Sequence, residues 1–194
     1  MNKIIVALCG LYALQFISSC IIPDCPEPKP HVITYNGLKV KGWNTSGFQN
    51  IELEQADSID KCDFGLSIQV LSETKEIATI ITPSFGINQA IALSCPDPEY
   101  HYSNHILSIE VLLTDVTTSK TDTITDRFKS QTYYGEKLSL SDLSGIESGQ
   151  SYFRLALTDC DSIPNISVFS VNVNLDSGNT VSSQTEQIHF LKEE

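Results

Sequence analysis

Basic residues are scarce in this chain: 12 lysines and arginines stand against 24 aspartates and glutamates, a net charge of −12. That balance argues against nucleic acid as a partner, because a chain so acidic is repelled by a phosphate backbone. No apolar run reaches the roughly 18 residues that a membrane-spanning helix needs. Catalytic signatures are absent as well: there is no GxSxG, no HExxH, no Gly-rich phosphate loop and no EF-hand loop. The cysteines contain no CxxC pair, which excludes a zinc ribbon and a thioredoxin-like redox site. No cofactor and no metal site is therefore expected.

What is present begins at the N-terminus. Met1-Asn2-Lys3 is positively charged, and Ile4 to Ile17 form an apolar run of 14 residues. As a helix this run would span about 21 Å, short of the ~30 Å hydrocarbon core but suited to the apolar region of a signal peptide. Ile17-Ser18-Ser19-Cys20 resembles the bacterial lipobox, a branched apolar residue and two small ones before a cysteine. The resemblance implies cleavage after residue 19, diacylation of Cys20, and a membrane anchor through that lipid. Each buried methylene is worth about 0.8 kcal/mol, so two or more chains anchor stably. Ile21, where retained lipoproteins carry aspartate, implies the outer membrane, on its periplasmic face or at the cell surface.

Residues 1–19 thus read as a signal peptide and 20–30 as a tether, with Pro23, Pro26, Pro28 and Pro30 favouring an extended polyproline-type conformation. Residues 31–194 read as one domain. The mature chain of 175 residues, from Cys20 to Glu194, is long enough to bury a core, and loss of Lys3 moves its charge to −13. Cys9 lies in the signal peptide and Cys20 carries lipid. Cys25, Cys62, Cys95 and Cys160 remain, an even number in an oxidising compartment, and predict two disulfides. Three connectivities exist. Cys25–Cys95 with Cys62–Cys160 is preferred, because Cys62 and Cys160 each adjoin an alternating strand and would meet at one end of a sandwich.

From His31 onward the period is two. Leu107, Ile109, Val111 and Leu113 share one face, as do Phe64, Leu66, Ile68 and Val70; Phe153, Leu155 and Leu157; and Phe169, Val171, Val173 and Leu175. Half-buried antiparallel strands produce this alternation. Asn36-Gly37 predicts a two-residue type I′ hairpin turn pairing Tyr35 with Leu38 and Ile33 with Val40. Shorter strands are expected at Ile77–Thr82, Ala90–Ser94, Thr121–Thr125 and Gln187–Leu191, and a single helical turn at Ser139–Leu143. About ten strands with polar turns define an all-β chain, a two-sheet antiparallel β-sandwich, immunoglobulin-like. Cys95-Pro96-Asp97-Pro98 before the Ile109 strand, and the ending Phe169–Leu175, Asp176-Ser177-Gly178, Ile188–Leu191, resemble Bacteroidetes envelope lipoproteins of unknown function. The resemblance implies the sandwich and carries over no activity.

Candidate binding residues cluster in Pro96–His105. Tyr100, His101, Tyr102 and His105 place aromatic, hydrogen-bonding side chains on a connection between strands, where binding residues concentrate. The flanking prolines favour a loop, in which the His101/His105 spacing has no fixed metal-binding geometry. Tyr133-Tyr134-Gly135 is a second aromatic candidate. Asp57, Asp60 and Asp63 lack the alternate spacing and turn glycine of a calcium loop and read as a solvated acidic turn. Asp57-Ser58-Ile59, Asp122-Thr123-Ile124 and Asp161-Ser162-Ile163 resemble the D-[ST]-apolar acceptor of exported proteins in that lineage, implying O-glycosylation at Ser58, Thr123 and Ser162. Three functions fit: a non-catalytic module binding a protein or glycan, which is favoured; a secreted hydrolase or metal-dependent enzyme using loop carboxylates with His101 and His105; and a structural subunit of an envelope complex.

Overall fold

The computed structural model describes residues 28–47, 51–54, 57–77, 97–131, 137–140 and 149–191. The chain divides into two compact units, residues 1–30 with 76–99 and residues 31–75 with 100–194. In the first, Lys29 Nζ lies 3.0 Å from a Glu76 carboxylate oxygen, and the Ile77 amide donates to the Pro30 carbonyl at 3.0 Å. The second holds the sandwich.

Seven strands form one open sheet: β1 (His31–Asn44), β2 (Ile51–Glu52), β4 (Phe64–Glu76), β5 (Tyr100–Tyr102), β8 (Phe128–Gln131), β9 (Lys137–Ser139) and β10 (Tyr152–Leu157). Their order is β2-β1-β4-β10-β8-β9, with β5 alongside β1. Six more form the second sheet: β3 (Ser58–Ile59), β6 (Ile106–Asp115), β7 (Thr121–Thr123), β11 (Ile166–Leu175), β12 (Thr180–Gln184) and β13 (Ile188–Phe190). Their order is β3-β13-β11-β6-β7, with β12 alongside β11. The pairs β1–β5 and β3–β13 are parallel, and the other recorded pairs are antiparallel. No α-helix occurs among the described residues; two 3-10 turns cover Lys61–Asp63 and Thr125–Arg127. The architecture is all-β and sandwich-like, as the period of two requires.

The predicted inward sets are the core. Phe64, Leu66, Ile68 and Val70 are buried, as are Phe153, Leu155, Leu157, Phe169, Val171, Val173 and Leu175. Four phenylalanines join the sheets: Phe169 lies 4.6 Å from Phe64 and meets Phe128 and Phe190 edge-on at 6.1 and 6.3 Å. Such ring pairs add about 0.5–1.5 kcal/mol beyond the area they bury. Cys62 in the first 3-10 turn and Cys160 after β10 form a disulfide, with Cα atoms 5.3 Å apart. Because β4 and β10 are neighbours, the bridge clamps the ends of two adjacent strands.

Several local expectations change. The Asn36-Gly37 hairpin does not form: β1 runs unbroken through both residues. A type I′ turn needs positive φ at both central positions, and the positive-φ glycines among the described residues are Gly149 and Gly178. Running on beside β4 buries both Tyr35 and Val40 in the core, so long-range pairing outweighs the local turn preference. The glycine is used for close approach instead, since a Cβ at Gly37 would sit 3.3 Å from the Leu71 Cβ. Leu107 is not inward either. Asn174 pairs with Ser108 but Leu175 with Ile106, so Leu107 is the extra residue of a β-bulge, 58% exposed, and Ile106 takes its place inside.

Among the described residues thirteen strands replace the expected ten or so, because short edge pieces such as β2 and β3 carry no periodic signal. The Thr121–Thr125 strand stops at Thr123 and enters a 3-10 turn, and the last strand is Ile188–Phe190. Ser139 ends β9, Leu140 already has 3-10 conformation, and residues 141–143 of the expected helical turn lie outside the described residues. Ile77 follows β4 outside any strand; residues 78–82 and Ala90–Ser94 also lie outside the described part.

Candidate functional site

Tyr100, His101 and Tyr102 are not in a loop. They form β5, paired in parallel with β1 in the register His31–Tyr100, Val32–His101 and Ile33–Tyr102. The ladder is prolonged by side chains. The Ser103 amide donates to the Ile33 carbonyl at 2.9 Å, and the buried Asn104 takes the next place. Its Oδ1 accepts from the Tyr35 amide at 2.9 Å, and its Nδ2 donates to the Tyr35 carbonyl at 3.1 Å. One side-chain amide thus satisfies both backbone groups of a strand residue.

The turn after Asn104 is tied to the other sheet. Asp176, following β11, accepts from the His105 amide at 2.8 Å and lies 2.9 Å from the His105 Nδ1, while its own amide donates to the His105 carbonyl at 2.9 Å. The backbone bond and then the ring contact hold the Asp176 carboxyl below its usual range. The rings follow this frame. Tyr100 stacks on His31 at 5.5 Å and is 53% exposed. Tyr102 turns inward instead: it packs against the core, 5.9 Å from Tyr35 and 6.4 Å from His105. A Cβ at Gly149, whose φ is +108°, would come 2.9 Å from the Tyr102 hydroxyl. Burial first, and then the neighbouring Tyr102, pushes the Tyr35 hydroxyl above its ordinary value.

Of the four predicted binding residues, Tyr100, His101 and His105 are therefore exposed and Tyr102 is half-buried structure. Among the described residues, no three His, Cys, Asp or Glu side chains gather as metal ligands. Asp60 caps the first 3-10 turn by accepting from the Cys62 amide at 2.8 Å, and Asp57 accepts from the Glu54 amide at 3.0 Å. Ser58 on β3, Thr123 on β7 and Ser162 in a turn are all exposed, and the Ile59, Ile124 and Ile163 that follow them are buried. β3 and β7 stand at the two ends of the strand order β3-β13-β11-β6-β7. Cys20, Cys25, Cys95 and Tyr133-Tyr134-Gly135 lie outside the described residues.

Two features escape the sequence reading. One is an open groove of about 520 Å³ whose lining includes the apolar Val40, Leu53 and Ile188 and the charged Lys39, Glu54 and Glu186. No sequence signal marks it, because its walls come from chain segments far apart. The other is the outer face of the seven-stranded sheet around Trp43, Tyr152 and Arg154. There the outward Tyr-x-Arg alternation of β10 is a visible cue. No known protein family, characterised protein or solved structure matches the chain.

Proposed function

We propose that the chain is a lipid-anchored lipoprotein of the bacterial cell envelope, held in the outer membrane through Cys20, with an immunoglobulin-like sandwich that serves as a non-catalytic module binding a protein or glycan. The observation that carries the binding role is the exposed group of Tyr100, His101 and His105. They stand on a frame fixed by the β1–β5 ladder, Asn104 and Asp176. Rigidly held aromatic and imidazole groups at a surface offer contact area and hydrogen bonding at little ordering cost. The lipobox supports the anchor, and the Cys62–Cys160 disulfide fits an oxidising compartment. O-glycosylation at Ser58, Thr123 and Ser162 belongs to the same reading.

Two measurements test it. Cys20→Ala should move the chain from the membrane to the soluble fraction and abolish labelling by a palmitate analogue; a labelled variant would overturn the anchor. For the binding surface, purified envelope glycans and outer-membrane proteins are screened on the wild type. The double variant Tyr100→Ala/His101→Ala should then bind the selected partner at least about tenfold more weakly, a loss of 1.4 kcal/mol. Its unfolding free energy should fall by no more than about 1 to 2 kcal/mol, the cost of losing the Tyr100–His31 stacking. Unchanged affinity would remove this surface from consideration.

A further inference from the structure

The two outer faces of the sandwich differ in charge. On the six-stranded sheet, outward side chains pair among themselves: Asn172 donates to Glu110 at 3.0 Å, Asn174 to Ser108 at 3.0 Å and Ser182 to Asn172 at 2.8 Å. None of these is a cation. The seven-stranded sheet carries Lys39 and Lys41 on β1, Lys129 on β8 and Arg154 on β10, in an otherwise acidic chain.

The strand register brings these cations together. Gly65, Ser67 and Gln69 of β4 pair with Ala156, Arg154 and Tyr152 of β10, and Ala156 pairs with Lys129 of β8. On the other side of β4, Gly37 approaches Leu71 and Trp43 lies over Gly65, which sets Lys39 and Lys41 beside Gln69 and Ser67. Glu52 is bonded to Lys41. Lys39, Lys129 and Arg154 make no ion pair with a described residue.

Arg154 is held ready for a ligand. Its guanidinium carbon lies 5.7 Å from the Trp43 ring and 5.4 Å from the Tyr152 ring. Its Nε donates to the Tyr152 hydroxyl at 3.3 Å, and that hydroxyl shares a 2.9 Å bond with Ser67. Among the described residues no group bonds the two terminal nitrogens of Arg154, which form a planar fork, the geometry that matches a carboxylate with two parallel hydrogen bonds. Tyr152 is 44% exposed beside the fork.

We infer that this face binds an acidic glycan, whose sugar carboxylates meet Arg154 with Lys129 and Lys39 alongside and whose ring faces lie against Tyr152. The surface is a strip of adjoining strands about 4.8 Å apart, suited to a polymer laid across it. A protein partner would need an apolar anchor at the surface, but Trp43 is only 3% exposed, which leaves Gln69, Tyr152 and Arg154 as the groups a ligand meets. The negative charge of the rest of the chain repels a polyanion elsewhere and confines it to this face. The site shares no residue with Tyr100, His101 and His105, so either can fail without the other.

The test is affinity electrophoresis of the purified full chain in polygalacturonate, at about 50 mM salt so that screening is weak. Polygalacturonate should retard the wild type and neutral dextran should not. Arg154→Gln should weaken retardation at least about tenfold, and Arg154→Lys should restore only part of it because an ammonium has no fork. The double variant Lys39→Gln/Lys129→Gln should weaken binding by roughly two- to tenfold and flatten the salt dependence. If Arg154→Gln lowers the urea midpoint, and so disturbs the fold, the lysine pair decides; a shift of the Trp43 emission alone is expected, since the guanidinium lies beside that ring. An unretarded wild type, equal retardation by dextran, or variants that bind like wild type would overturn the inference. So would polyglutamate or phosphatidylglycerol vesicles bound more tightly through the same residues, reassigning the face to an acidic protein or a membrane.

Discussion

A chain carrying Cys62→Ser and Cys160→Ser should melt roughly 10 to 20 °C below the wild type, from the loss of about 4 to 5 kcal/mol expected for a loop of this length. The two cysteines are 98 residues apart in sequence, so the bridge removes much of the freedom of the unfolded chain. Its place in the fold adds to the effect. It closes the end at which β4 and β10 pair, and Phe64, Leu66, Phe153 and Leu155 on those strands are among the most buried side chains. Differential scanning calorimetry of the double variant is the direct measurement. A melting temperature within about 3 °C of wild type, worth only around 1 kcal/mol, would show that the bridge contributes little.

Gly65→Ala should destabilise the fold by about 2 to 4 kcal/mol, although glycine-to-alanine changes in a strand ordinarily help by limiting the unfolded chain. A Cβ at this position would stand 2.5 Å from the Leu155 carbonyl oxygen and 2.8 Å from Trp43 Cε2. The carbonyl cannot retreat easily, because β10 is paired on both sides. Trp43 is itself only 3% exposed, and its Nε1 donates to that same carbonyl at 3.2 Å. The indole must therefore move, and the hydrogen bond goes with it. Trp43 is the single tryptophan of the chain, so its fluorescence reports the change without labelling. The variant should show a red-shifted emission and a lower urea midpoint. An unshifted emission with undiminished stability would mean that the strand accommodates the methyl group.

Where one face is buried on both sides of a long strand, the sequence was sufficient. The inward sets of β4, β10 and β11 match the structure residue for residue, because a slip by one would expose every phenylalanine and leucine in them. The Cys62–Cys160 bridge was legible for a related reason: each cysteine sits at the end of such a strand. At strand ends and edges the signal weakened. β2, β3 and β5 have two or three residues each, too few for a period, and Tyr100–Tyr102 read as a loop for that reason.

The sequence by itself determined the all-β class and most of the core, and it singled out Tyr100, His101, Tyr102 and His105 as candidates. All of these depend on alternation or residue type within one short segment. Only the tertiary structure decided that β1 runs straight through Asn36-Gly37, that a bulge turns Leu107 outward, and that Tyr102 packs half-buried against the core. It alone gathered Lys39, Lys129 and Arg154 onto one face of a chain whose total charge is −12. Each of these depends on which strand lies beside which. Pairing between residues far apart in sequence gains more by burying a shared core than a turn or loop preference gains locally, and composition carries no record of those neighbours.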